Sequence, residues 1–257
     1  DYTPDAGIRF ADVNGDGLPD LLQAHSRITS SAVAVYINTG KTWVQDPLWS
    51  PPDAFSTDST TNELRITDVN GDGLPDLLQG STVPGTTYLN NSRRTDIVSK
   101  ILYPEGGVVT FGYKTAQESK VGSDLANSHV PFPLDTLFST QLDAGVGVVA
   151  STSYFYEAGR YSYTDVFNKQ FAGFGTVTKI DDAGNRTKSL FHQGDTTNST
   201  KGEYADSAAK IGKAYRTETY DSANNLYAKS ITKWDSADLG QGRTFVNLAQ
   251  QVDSAYD

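Results

Sequence analysis

Twelve residues, Asp12-Val13-Asn14-Gly15-Asp16-Gly17-Leu18-Pro19-Asp20-Leu21-Leu22-Gln23, recur without a change from Asp68 to Gln79. A repeat of this kind marks an architecture of like units, each unable to bury its apolar face alone. The likeness resumes downstream, where Val35-Tyr36-Ile37-Asn38 aligns with Thr87-Tyr88-Leu89-Asn90 across a shorter connecting loop. Between these landmarks lie β-type runs, Ala32 to Ile37 and Lys41 to Val44, set off by the turn clusters Asn38-Thr39-Gly40 and Ser50-Pro51-Pro52-Asp53. Several short strands per repeat suit a propeller blade, but a closed ring takes about 4 to 8 blades. The repeated region ends near residue 95, so the expectation is that further blades precede it in a longer parent chain or that the pair packs on something else.

Composition agrees with an all-β chain. The 23 Gly and 10 Pro accompany many Thr, Ser, Asn and Tyr, which favour strands and turns over helices. With 21 Lys and Arg against 31 Asp and Glu, the net charge of −10 gives no footprint for nucleic acid or an anionic membrane surface. The absence of cysteine excludes disulfides, thiolate metal sites and a cysteine nucleophile. The longest apolar run, Ala144 to Ala150, is broken by glycine and falls well short of the roughly 20 residues of a membrane helix. No membrane insertion is expected of this chain.

Each repeated loop carries oxygen donors at alternate positions. The first offers the side chains of Asp12, Asn14, Asp16 and Asp20 and the Leu18 carbonyl; the second offers Asp68, Asn70, Asp72, Asp76 and the Leu74 carbonyl. Hard oxygen ligands in a short Gly-containing loop are calcium chemistry. An EF-hand needs a bidentate Glu at loop position 12, where this chain has Gln23 and Gln79, and its Leu-Pro-Asp-Leu-Leu segment leads into a strand. Three carboxylates confined to one short loop repel one another, so two structural Ca²⁺ ions are expected to stabilise the fold. The loops resemble FG-GAP or VCBS-type calcium repeats over about residues 5 to 95, which implies two calcium-binding blades in a domain spanning 1–95.

From residue 96 the pattern changes. Ile97 to Tyr113 reads as a hairpin about Pro104-Glu105-Gly106-Gly107, and residues 115 to 144 read as a long irregular connection. Ser151 to Tyr156 and Tyr161 to Val166 read as a second hairpin about Glu157-Ala158-Gly159-Arg160. Its tyrosines, Tyr154, Tyr156, Tyr161 and Tyr163, suit cross-strand packing better than a sugar platform. Farther on, Asp181-Asp182-Ala183-Gly184-Asn185 and Tyr220-Asp221-Ser222-Ala223-Asn224-Asn225 share a strand, Asp turn, strand design, with Gly or Asn where φ must be positive.

The succession of the two Asp loops, Ile101-Leu102-Tyr103-Pro104 with Phe111-Gly112-Tyr113, Gln170 to Gly175, His192-Gln193-Gly194-Asp195, and Tyr220-Asp221 before Trp234 resembles the B component of bacterial toxin complexes. This is the SpvB/TcdB-like, Rhs/YD-repeat family. The resemblance implies a propeller leading into a β-shell segment at 96–257, a secreted or surface bacterial location, and partners in a larger toxin-complex assembly or an enclosed polypeptide cargo.

Catalytic constellations are weak. His25, His129 and His192 are scattered, no Gly-x-Ser-x-Gly elbow occurs, and Gly15-Asp16-Gly17 would repel phosphate. His192 with Asp195 nearby is the best polar pair for a hydrolase or lyase site, and a buried or turn-capping histidine is the better reading. The expectation is a non-catalytic scaffold. The alternative is a calcium-dependent adhesin or carbohydrate-binding module using Trp43, Trp49 or the tyrosine stripe, with a glycan as its ligand.

Overall fold

The computed structural model describes residues 5–58, 64–80, 85–92, 97–147, 149–163, 167, 169–196 and 205–256. The described residues are almost entirely strand and turn, with two short 3₁₀ turns and no α-helix. The chain forms two compact units, Asp1–Ile97 and Val98–Asp257.

In the first unit, β1 (Ile8–Ala11), β2 (Asp20–Ser26), β3 (Ser31–Asn38) and β4 (Trp43–Gln45) make an antiparallel meander, and β5 (Ser56–Thr57) adds in parallel to β2. The second repeat gives β6 (Leu64–Thr67), β7 (Asp76–Gln79) and β8 (Thr86–Tyr88) in the same order. Both repeated Asp-Leu-Leu-Gln segments open a strand, β2 and β7. Side chains alternate between sheet faces. Leu22, Ala24 and Val35 therefore point one way, and Ile8, Phe10 and Leu21 the other.

A single apolar core joins the two repeats. Val13, Leu22, Ala24, Val35 and Phe55 of the first pack with Leu64 and Leu77 of the second, and Ile66 and Trp49 lie against them. The first repeat thus contributes its Leu22 face, and the second contributes the face that in the first carries Ile8, Phe10 and Leu21. Repeat meets repeat head to tail, and one face of each stays open. Val13 is 1% exposed and its copy Val69 49%; Leu64 is 5% exposed and its copy Ile8 38%.

The second unit is a nine-stranded antiparallel sheet built from β9 (Lys100–Leu102), β10 (Val108–Thr115), β13 (Asp135–Asp143), β14 (Val149–Tyr163), β15 (Lys169–Ile180), β16 (Arg186–Phe191), β17 (Ala214–Tyr220), β18 (Leu226–Asp238) and β19 (Thr244–Ala255). Each strand pairs with its neighbour in sequence, except that β10 meets β13 across an excursion containing a 3₁₀ turn (Ala116–Glu118) and the small hairpin β11 (Lys120–Val121) and β12 (Asp124–Leu125). Most sheet side chains are half-buried or exposed on both faces.

Two sequence expectations are corrected here. Glu157 to Arg160 is no turn: β14 runs through it as one fifteen-residue strand with a bulge between Gly159 and Tyr161. The Asn127 side chain explains this, donating to the Ala116 and Tyr156 carbonyls while its Oδ1 accepts the Gly159 amide. A side chain from the excursion thus holds a Gly-containing kink inside the strand. Thr164 to Val166 lie outside the described residues. Residues 115–144 are less irregular than expected, because Asp135–Asp143 forms β13 against β10.

The two Asp turns agree with their sequence reading. In each, the Asn just before the second strand donates its amide and its side-chain Nδ2 to the Asp carboxylate: Asn185 to Asp181 at 2.9 and 3.0 Å, and Asn225 to Asp221 at 2.8 and 2.9 Å. The left-handed position is Gly184 (φ 86°) in one and Asn224 (φ 71°) in the other.

Candidate functional site

The two Asp loops close on themselves in the same way. Asp12 Oδ1 accepts the Gly15 and Asp16 amides at 2.7 and 3.0 Å, and its Oδ2 accepts Gly17 at 2.7 Å. Asp16 Oδ1 accepts the Leu18 amide at 2.8 Å and its Oδ2 the Asn14 Nδ2 at 3.0 Å. In the second loop Asp68 accepts Gly71 and Gly73, while Asp72 accepts Leu74 and the Asn70 Nδ2, all at 2.7–2.9 Å. Gly15 and Gly17 have φ of 72° and 84°, and Gly71 and Gly73 have 79° and 82°, so both glycines of each loop are required by its curl.

Asp20 and Asp76, the last acids of the motif, are fully buried. Asp20 accepts the Val13 amide at 2.9 Å on one oxygen and the Asn38 amide at 2.8 Å on the other; Asp76 accepts Val69 and Asn90 at the same distances. Each carboxylate thereby fastens the loop to the end of the third strand of its repeat. Asn38 and Asn90, the ends of the second stretch of likeness, are thus structural partners that ligand spacing alone did not single out.

Burial pushes the Asp20 carboxyl above its ordinary range; the Asn38 and Val13 amides oppose this, and the negative charges of Asp16 and Asp12 add to it. Among the described residues, no three or more His, Asp or Glu side chains stand in an arrangement ready to hold a metal ion. The donor set itself is all oxygen and suits a hard cation. Most of the oxygens each accept a single hydrogen bond, which leaves a lone pair for a ligand. The residues therefore fit calcium in kind and charge, in a loop whose fold is already closed by its own amides.

The aromatic residues divide between packing and scattered exposure. Tyr156, Phe174, Phe171, Phe132 and Tyr161 form one chain of ring contacts with centroids 4.9–6.4 Å apart. Tyr163 stands exposed under the Lys169 ammonium, and Tyr154 lines a cleft of about 640 Å³ with Phe155 and Tyr156. Trp43 is exposed beside Phe10, whereas Trp49 packs on the first unit's core. Two of the four stripe tyrosines, Tyr156 and Tyr161, are thus engaged in packing.

His192 is buried, and its partner is Asp206 rather than Asp195: Nδ1 lies 3.3 Å from Asp206 Oδ1. Asp195 pairs instead with Arg160 at 2.8 Å. The hydrolase pairing suggested by sequence proximity is therefore not made.

In sequence, two Asp-loop repeats precede a nine-stranded antiparallel sheet. A model of FG-GAP-like repeats matches residues 12–79. The model of the insecticide toxin TcdB middle/N-terminal region matches residues 50–204, more than half of the chain, and the chain belongs to that family. Its fold superposes on a chain from the crystal structure of TcdB2-TccC3-Cdc42 with a TM-score of 0.75, at 18% identity over 98% of this chain. The present chain spans 15% of that solved chain. No curated protein matches it in sequence.

Proposed function

We propose that this TcdB-like chain is a non-catalytic architectural segment of a bacterial toxin-complex component, secreted or surface-displayed. In it, two calcium-stabilised propeller-type blades lead into the wall of a cargo-enclosing β-shell. The observation that carries this reading is the opposite exposure of matched residues in the two repeats. A head-to-tail contact that leaves both outer faces open is the contact of a ring or array, in which every unit repeats the same interface. The open Ile8, Phe10 and Leu21 face is the copy of a face already buried by a repeat of the same design. The long, sequentially paired antiparallel sheet of the second unit supports a wall.

Calcium in this reading is held by Asp12, Asn14, Asp16, Asp20 and the Leu18 carbonyl, and by Asp68, Asn70, Asp72, Asp76 and the Leu74 carbonyl. It would supply the positive charge that these oxygens lack. Its role is to offset carboxylate repulsion at a buried corner rather than to activate water.

The partner class is another toxin-complex component, such as the TccC3 present with TcdB2 in the solved assembly. Sedimentation of the chain with and without a TccC3-type component tests this. A faster, mixed boundary is expected, lost when the sheet of the second unit is truncated. Independent sedimentation of the two proteins at micromolar concentration would contradict the proposal.

A further inference from the structure

Asp206 is a hub between two stretches of the connection that joins β16 to β17. Its Oδ2 accepts the Gln193 and Asp195 amides, both at 2.9 Å, and its Oδ1 accepts the Ser207 amide at 2.7 Å. His192, at the start of the same connection, turns Nδ1 toward that Oδ1. Its backbone is fixed as well, the amide donating to the Lys213 carbonyl and the carbonyl accepting from Gly212. The other face of the imidazole meets the Tyr215 ring at 5.0 Å, and the residue is 2% exposed.

The junction reaches into the sheet through Gln193. Its Nε2 donates to the carbonyls of Ala158 and Gly173 at 2.7 and 2.8 Å. Both acceptors sit in left-handed backbone, with φ of 54° and 81°. Asp195 then pairs with Arg160, on the strand of Ala158. The contacts of Gln193 and Asp195 thus hold the kinked parts of β14 and β15.

One atom in this arrangement is unmatched. His192 Nε2 is buried and has no hydrogen-bond partner. A neutral imidazole with its proton on Nδ1 satisfies Asp206 and leaves Nε2 as a bare acceptor, which a buried site tolerates at modest cost. A second proton would place an N–H donor and a net charge in a site without an acceptor for it, which is far more costly.

We propose that His192 and Asp206 form an acid-released clasp: protonation of the buried imidazole drives it out of its site and frees Gln193 and Asp195 from Asp206, loosening the kinks of β14 and β15. The charged groups that face the ring are Asp206, which favours the proton, and Lys210 of the 3₁₀ turn Ala208–Lys210, which opposes it. Burial is the largest influence and holds the His192 pKa below its ordinary value. Lys213 is turned toward the Trp234 ring, and Arg160 is paired with Asp195. The unfolded chain takes up its proton near pH 6.5 and the folded chain at lower pH. The contribution of His192 to stability is therefore complete above about pH 6.5 and falls away below it.

Amide exchange followed by NMR on the full chain, corrected for intrinsic rates, tests the clasp. As pH is lowered from 7.5 through the His192 ring titration, protection at the Gln193 and Asp195 amides should drop at least tenfold. Amides paired between β18 and β19 should keep theirs. His192→Phe, which fills the same space beside Tyr215 without a titrating group, should abolish the pH dependence. If that variant does not fold, the wild-type comparison of Gln193 and Asp195 with the β18 and β19 amides decides alone. Undiminished protection once the His192 ring has titrated, a ring that stays neutral until the β18 and β19 amides themselves lose protection, or the same loss in His192→Phe, would overturn the proposal.

Discussion

The two repeats of the first unit share twelve residues without a change, yet they bury opposite faces. Val13 and Leu22 are sealed in the core, while Val69 is open and Leu78 only half-buried; Leu74 and Leu77 are sealed, while Leu18 and Leu21 are half-buried. The Asp loops, by contrast, share the same glycine-amide bonds, Gly15 and Gly17 to Asp12 and Gly71 and Gly73 to Asp68. Short-range chemistry fixes the loop, because its hydrogen bonds span only a few residues. The neighbouring repeat fixes which apolar face becomes core. Identical sequence therefore yields identical local structure and different energetics, and matched substitutions separate the two.

The largest contrast is expected from leucine truncation. Leu22→Ala should cost about 2–5 kcal/mol, as for a buried leucine, and Leu78→Ala roughly half as much or less, because Leu78 keeps water contact. Leu77→Ala against Leu21→Ala should show the reverse order of repeats. Urea denaturation of the four variants measures this, and equal losses within either pair would break the head-to-tail account.

Valine gives a smaller contrast. Val13→Ala should lose about 2 kcal/mol of burial energy, and Val69→Ala should stay within about 0.5 kcal/mol of the parent. Smaller again is the asparagine pair. Asn90 donates its Nδ2 to the Val13 carbonyl at 2.8 Å, in a buried link from the second repeat to the first. The Asn38 Nδ2 instead donates to the Pro19 carbonyl of its own repeat, at 3.3 Å and exposed, while its Oδ1 accepts the nearby Gly40 amide. Asn90→Ala should therefore cost about 1 kcal/mol and Asn38→Ala less, since a buried acceptor is left unmet only in the first. Thermal melts of the two variants read the difference.

The smallest effect separates carboxylates by pH. The Asn185 and Asn225 side chains hold Asp181 and Asp221 below the ordinary carboxylate range. Their contribution is present above about pH 4 and is lost as pH falls through the lowered values. Asp20 runs the other way: its penalty is present at neutral pH and is relieved when it takes a proton, above the normal range. Carboxyl NMR titration should find Asp181 and Asp221 titrating below Asp20, and calcium should pull Asp20 down toward them.

Much of this was legible in the sequence, for a physical reason in each case. The exact repeat, the strand after Leu-Pro-Asp, and the Asp turns at Asp181 and Asp221 rest on local hydrogen bonds between residues a few positions apart. The TcdB-like family was legible as an order of motifs, and the all-β class from strand and turn residues. The bulge at Gly159 was not legible, because Asn127 imposes it from thirty-two residues away. Nor was the His192 pairing, since Asp206 lies across a long connection while Asp195 is only three residues along. The division of the repeat faces was hidden too, because nothing in twelve identical residues says which copy will have a neighbour on which side.

We propose that the two repeated loops are equivalent calcium sites, and calorimetric titration of calcium into the chelator-treated chain tests this. Two binding events of similar heat are expected, one removed by Asp16→Ala and the other by Asp72→Ala, with a melting temperature that rises on saturation. No heat of binding, together with a melting temperature unmoved by EDTA, would contradict it.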